Sequence, residues 1–164
     1  MAAKPPVSVW RISRATKEYA ADDVTGKGAE LYGGRWNIKG TPMVYASSSL
    51  PLALLETLAH LGPNGAAVRD RFIVEILVPP EIMAAAQTLN RHAIDPAWCA
   101  EPASASSQTL GNRWATALDS CLLIVPSVLL PEETNLLINP RHPAAKSIVS
   151  RTVRQYLPDP RLAN

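Results

Sequence analysis

The chain has 164 residues, enough to bury one sizeable core and short for two. Hydrophobic residues make up 47% and charged ones 18%, a globular balance that argues against a disordered chain. A net charge of +2 gives no strong field toward nucleic acid or membrane, and no apolar run approaches membrane-spanning length.

In chain order, Val7 to Ile12 (VSVWRI) alternates as a strand, with Val7, Val9 and Arg11 on one face. Arg11 is therefore either an edge charge or a group pointed into a cleft. Residues 13–31 are polar and mixed. Gly26, Gly28, Gly33 and Gly34 then lead up to Arg35. Their spacing fits neither a Walker loop nor a dinucleotide fingerprint, although glycines do allow backbone to approach a ligand closely. Thr41-Pro42 precedes a short strand, Met43 to Ala46, carrying Tyr45. Ser47, Ser48 and Ser49 offer N-cap oxygens and Pro51 suits a first turn, so a helix is predicted from there to the stop signal Gly62-Pro63. Apolar residues cover most of its wheel, which predicts burial on most sides. Leu54, Leu58 and Leu61 form one stripe. Glu56 lies roughly opposite, with His60 one turn further on. A carboxylate on such a helix is costly unless paired or hydrogen-bonded.

Arg69 to Val78 (RDRFIVEILV) reads as a longer strand closed by Pro79-Pro80. Glu81 to Ala86 suits a short helix, 88–107 an irregular loop, and Leu110 to Leu118 a helix that packs Trp114. Cys121 to Pro126 (CLLIVP) suits a strand buried on both faces, with Ser127 at its end. Leu136 to Ile138 reads as a last strand, and 144–156 as a terminal helix docking Ile148, Val149, Val153, Tyr156 and Leu157. Strands and helices without strict βαβ alternation predict an α+β fold. Cys99 and Cys121 show no CxxC pattern, and with His60, His92 and His142 they give no zinc spacing, so no metal is expected. The start, MAAKPPVSVWRIS, has no apolar signal core, so a cytoplasmic protein with reduced thiols is expected. After Asn139, five Lys/Arg face one acid, which makes a basic tail: a solvated face, or a contact for a polyanion or acidic partner.

Arg35, Tyr45 and Glu56 stand ten and eleven residues apart, on three predicted elements. A guanidinium, a phenol and a carboxylate so placed are either a buried polar network or a catalytic constellation. The pieces WRIS (10–13), GGRWNIKG (33–40), VYAS (44–47), LALLETLAH (52–60), VPS (125–127) and ETNLLINPRHP (133–143) together carry a resemblance. In that order they are similar to the RES-domain family, toxins of bacterial toxin–antitoxin pairs usually encoded with an Xre-like antitoxin. The family is named for an Arg, a Glu and a Ser, matched here by Arg35, Glu56 and Ser127.

The resemblance implies a single RES domain over 1–164, with its core at about 7–143 and a C-terminal helix and basic tail at 144–164. It implies an ADP-ribosyltransferase-like split β-sheet flanked by helices, taking NAD as substrate and needing no metal. The implied catalytic residues are Arg35 on a phosphate, Tyr45 stacked on nicotinamide, and Glu56 at the ribose. Arg11, Tyr32, Asn37, His60 and Ser127 are the implied substrate contacts. The implied activity is toxic NAD consumption by cleavage of the nicotinamide–ribose bond, through hydrolysis or phosphorolysis. The alternative is ADP-ribosylation of a protein such as phosphoribosyl pyrophosphate synthetase. An Xre-like antitoxin is expected to block the cleft, in a hetero-oligomer with two or more toxin copies. DNA is reached only through that antitoxin, and no membrane is involved. Two readings of other classes compete: a non-enzymatic interaction module, and nucleic-acid binding through Arg141 to Arg161, which salt would weaken steeply.

Overall fold

Runs rich in Val, Ile and Leu form the strands of a computed structural model that describes residues 4–62 and 69–162. The strands are β1 (Val7–Ser13), β2 (Val44–Ser47), β3 (Phe72–Val78), β4 (Gln87–Thr88), β5 (Leu122–Pro126), β6 (Thr134–Ile138) and β7 (Val149–Gln155). The helices are α1 (Lys27–Tyr32), α2 (Leu50–Leu61), α3 (Pro80–Ala84) and α4 (Ala105–Ala117), with short 3-10 turns such as Pro96–Cys99 and Pro143–Ser147. All seven strands join one mixed sheet, in the order β4-β5-β6-β2-β1-β3-β7. Only β4 and β5 run parallel. The fold is α+β, as the order of elements predicts.

The sheet has a weak seam. β1 and β3 pair along their whole length, from Val7↔Val78 to Ser13↔Phe72, whereas β1 and β2 share the single register pair Trp10↔Ser47. The sheet is thus two half-sheets, β4-β5-β6-β2 and β1-β3-β7, joined through that one register pair.

Strand register sorts the side chains onto two faces. On one, Val9, Val44, Ala46, Val74, Ile76, Leu136 and Ile138 form a core closed by Ala21, Ile82 and Ile148. On the other, Leu123, Val125 and Leu137 pack with Trp36, Met43, Trp98, Trp114 and Ala115. Tyr45, Ser47 and Asn135 lie on this second face by register. α2 packs over β1 and β2, at the seam.

Local chemistry sets the ends of α2. The Ser49 side chain accepts from Leu52 N, Pro51 sits in the first turn, and Gly62 at φ 69 ends the helix. Pro63, the second half of the predicted stop signal, lies outside the described residues. Only Leu52 and Ala53 are buried, and Leu55 is exposed. The helix is therefore a covering layer, less enclosed than its apolar wheel predicts, because it lies on one sheet face with solvent behind it.

The predicted terminal helix at 144–156 is a 3-10 turn, Pro143–Ser147, followed by strand β7. The edge of β3 decides this. β7 pairs with it from Leu77↔Val149 to Phe72↔Gln155, Arg151 pairs with Glu75, and the Ser150 hydroxyl donates to Asp22 O. Val149, Thr152 and Val153 are β-branched and lose little in that conformation. α4 begins at Ala105 rather than Leu110, because Ser104 caps it by accepting from Ser107 N. Among the described residues, no helix is long and apolar enough to cross a membrane.

Candidate functional site

Glu56 projects from the middle of α2 toward the second sheet face. Its Oε1 accepts from Ser127 Oγ at 2.7 Å and from Asn135 Nδ2 at 2.6 Å. Ser127 is fully buried just beyond β5, and its Oγ accepts in turn from Leu129 N and Leu130 N, both at 3.1 Å. Asn135 is held from its other end by Ser47, whose Oγ donates to Oδ1 at 2.7 Å. Ser47 and Asn135 are register partners on β2 and β6. Among the described residues, Oε2 of Glu56 has no hydrogen-bond partner. The carboxylate is fixed through one oxygen by short charge-assisted bonds and presents the other.

Tyr45 stands two residues before Ser47 on the same face of β2. Its Oη donates to Asn37 Oδ1 at 2.7 Å and accepts from Trp36 N at 3.0 Å. Burial pushes the phenol above the ordinary tyrosine range, opposed by the Trp36 N–H and by the Arg35 guanidinium. Tyr45 therefore stays protonated and keeps donating to Asn37. A Cβ on Gly34 would fall 2.7 Å from Tyr45 Oη, so the loop comes this close only because the residue is glycine. Asn37 is fully buried and donates to Ala29 O, Ile38 O and Thr41 O, tying the loop to itself. On the loop's other side, a Cβ on Gly111 of α4 would sit 1.8 Å from Trp36 O.

Arg35 leaves this loop toward the 98–101 segment. Its Nη1 donates to Trp98 O at 3.0 Å and Ala100 O at 2.7 Å, and its Nη2 pairs with Glu101 at 2.9 Å. The Arg35 side chain is 19% exposed, while that of Glu101 is 83% exposed. Trp36 and Trp98 stack beneath, with ring centroids 6.1 Å apart.

The other expected site residues scatter. Arg11 lies on the opposite sheet face, paired in register with Val74 of the first core. It donates to Asp23 O, Ala21 O and Ser13 Oγ, so it clamps the 21–23 segment. Burial lowers its pKa, and Asp23, Tyr19 and Asp22 oppose this. Tyr32, at the end of α1, is 63% exposed. His60 is exposed in the last turn of α2. The structure thus joins Ser127 to Glu56 directly, gathers Arg35, Tyr45 and Asn37 around one loop, and leaves Arg11 elsewhere.

Two residues escaped the sequence reading. Asn135 lay inside ETNLLINPRHP and Ser47 read only as an N-cap candidate. The available signal was a polar residue at an inward-facing position of a strand, which must find a partner. Two open cavities, about 190 and 290 Å³, lie along β4 and β5, and neither is lined by Arg35, Tyr45 or Glu56. Among the described residues, no three His, Cys, Asp or Glu gather as a metal site. A carboxylate with one open oxygen can stabilise a cationic carbon, and a guanidinium can hold an anion.

The family model described as RES domain matches residues 8–159. The chain is 49% identical over 155 residues to a protein of Sphingobium sp. (strain YBL2) named Prs ADP-ribosylating toxin, covering 94% of this chain and 96% of that one. It is 37% identical over 148 residues to a protein of Yersinia enterocolitica named Toxin Res, covering 89% and 94%. A Pseudomonas putida protein of the same name is 39% identical over 157 residues, covering 94% and 98%.

Proposed function

The chain belongs to the RES domain family, and on that premise we propose that it is a toxin that cleaves the nicotinamide–ribose bond of NAD and transfers the ADP-ribose to a protein side chain. The observation that carries this reading is the Glu56 carboxylate, held through Oε1 by Ser127 and Asn135 with Oε2 left open. The name of the Sphingobium relative supports transfer to a protein over hydrolysis or phosphorolysis, which would use the same cleft.

The C1′–N bond breaks and its electron pair goes to the pyridinium nitrogen, so nicotinamide leaves neutral and needs no acid. Positive charge then builds on the ribose through an oxocarbenium-like state. Glu56 Oε2 accepts from ribose hydroxyls and stabilises that charge. The acceptor's lone pair forms the new bond at C1′, and its proton passes to solvent.

Tyr45 Oη is occupied by Asn37 and Trp36 N, so the face of its ring is what it offers to nicotinamide. Arg35 exchanges Glu101 for a phosphate of NAD, a natural partner for a forked guanidinium. The Ser127 hydroxyl spends its hydrogen bond on Glu56, which supports an orienting role rather than a contact with nicotinamide. Tyr32 and His60 are exposed and free to line the mouth, and Asn37 holds the loop. Arg11 is accounted for as a clamp on 21–23 rather than an NAD contact.

The relatives named toxins support a neutralising partner. We place there an Xre-like antitoxin covering the cleft, in a hetero-oligomer with two or more copies of this chain, with DNA reached only through the antitoxin.

The test is incubation of the antitoxin-free chain with labelled NAD and phosphoribosyl pyrophosphate synthetase. Nicotinamide release, label on the synthetase, and loss of both in Glu56→Gln are expected. Nicotinamide release with free ADP-ribose alone would give the hydrolytic reading instead. No release with or without phosphate, and no label in a whole lysate, would overturn the enzyme.

A further inference from the structure

The geometry points to Asn135 as a positioning residue for Glu56, with Ser47 setting which way its amide faces. The inference rests on the proposed NAD-cleaving role of Glu56. Three observations carry it. First, the Asn135 Nδ2–Glu56 Oε1 contact at 2.6 Å joins residues 79 positions apart, so the fold and not chain proximity makes it. Second, the amide is oriented. Ser47 Oγ donates to Oδ1 at 2.7 Å, which leaves the amino end toward Glu56, and β2–β6 register sets Ser47 beside Asn135. Third, Ser127 and Asn135 approach the same carboxylate oxygen from the two ends of one connection. Ser127 N also donates to Glu133 O, which closes that connection.

Two donors on one oxygen determine where the other oxygen points. Neither Asn135 nor Ser47 needs to touch substrate. Their work is to hold Oε2 in one direction before NAD arrives, which avoids reorganisation at the moment of reaction. Without Asn135, the carboxylate keeps one donor and can pivot about it.

The test compares wild type, Asn135→Asp, Asn135→Ala and Ser47→Ala in nicotinamide release from NAD across pH, with thermal unfolding in parallel. Asn135→Asp puts an acceptor where a donor stood. Its turnover is expected to collapse at neutral pH and to recover partly on acidification, when the introduced carboxyl becomes protonated and can again donate to Glu56. A residue with only a structural role would lower stability without moving the pH profile. Asn135→Ala is expected to lower kcat on the order of ten- to a hundredfold with little change in KM. Ser47→Ala, which leaves both partners in place, is expected to lower kcat severalfold at unchanged KM, and it carries the test if the Asn135 variants unfold. An active wild type with an unmoved Asn135→Asp profile, or with an unchanged kcat in Ser47→Ala, would overturn the positioning role and leave the proposed function standing. A wild type that releases no nicotinamide would remove the proposed function and this inference with it.

Discussion

Glu56 and Arg35 differ in what holds them. Glu56 is fixed by side chains of residues at or just beyond strand ends, Ser127 and Asn135, with Ser47 behind them. Arg35 is held by a loop: two backbone carbonyls of 98–100 and the exposed carboxylate of Glu101. The first arrangement leaves one oxygen open, so it is ready for a ligand. The second already engages three of the guanidinium's five N–H donors with the chain's own acceptors, one of them the solvated carboxylate of Glu101. Under the proposed function, the carboxylate end does the chemistry and the guanidinium end binds phosphate.

The largest expected effect would break that contrast if it failed. Glu56→Gln keeps shape and removes charge, so kcat for nicotinamide release should fall by about a hundred- to a thousandfold, with thermal stability little changed. Arg35→Ala should act differently. It removes charged hydrogen bonds worth about 1.5–3 kcal/mol each, so KM for NAD should rise on the order of tenfold or more, ahead of kcat. Equal losses in kcat and kcat/KM for Arg35→Ala would assign the guanidinium to the transition state and erase the distinction.

Gly111→Ala sharpens the same comparison through packing. Its Cβ would strike Trp36 O, so α4 and the Arg35 loop must part. A loss of about 1–3 kcal/mol, read as a fall in Tm of several degrees, is expected. The remaining activity should show a raised KM, because the loop is what shifts.

Alkaline titration probes the phenol that supports this loop. The folded-state pKa of Tyr45 is raised above its ordinary value of 10.0, chiefly by burial. Its stabilising contribution is therefore present below that value and is lost as pH rises beyond it. Thermal melts at increasing pH should show this decline, and Tyr45→Phe should make it shallower.

The smallest expected effect is at Glu101. Its pair with Arg35 is mostly solvated, and exposed pairs contribute about 0.2–1 kcal/mol. Glu101→Gln should therefore lower KM for NAD by no more than about fivefold, with kcat unchanged. A raised KM would mean that Glu101 orders Arg35 for binding rather than competing with substrate.

Much of the fold was legible along the chain, for physical reasons that operate locally. The ends of α2 follow from the Ser49 cap, Pro51 and Gly62. β5 follows from an unbroken apolar run that only a two-sided core can accept. Strand alternation already put Arg11 beside Val9, on what proved to be the face away from Glu56. The site was legible in part. The pieces resembling the family singled out Arg35, Tyr45, Glu56 and Ser127, and the pairing of Ser127 with Glu56 is in the structure. Asn135 and Ser47 were not legible as partners, because 88 residues separate them and nothing local relates two strands that distant.

By itself, then, the sequence determined β1, β2, β3, β5, β6, α2 and the chemical types gathered for the site. Those depend on side-chain periodicity, capping and φ/ψ preference, which act over a few residues. Only the tertiary structure decided that 149–155 is a strand, because the β3 edge supplied its hydrogen bonds. Only it decided that the sheet has a seam at Trp10↔Ser47, that α2 covers that seam, and that Glu56 meets donors from two other elements there. Register between distant strands is set by how whole apolar faces match across the sheet, and that matching exists only once the chain has folded.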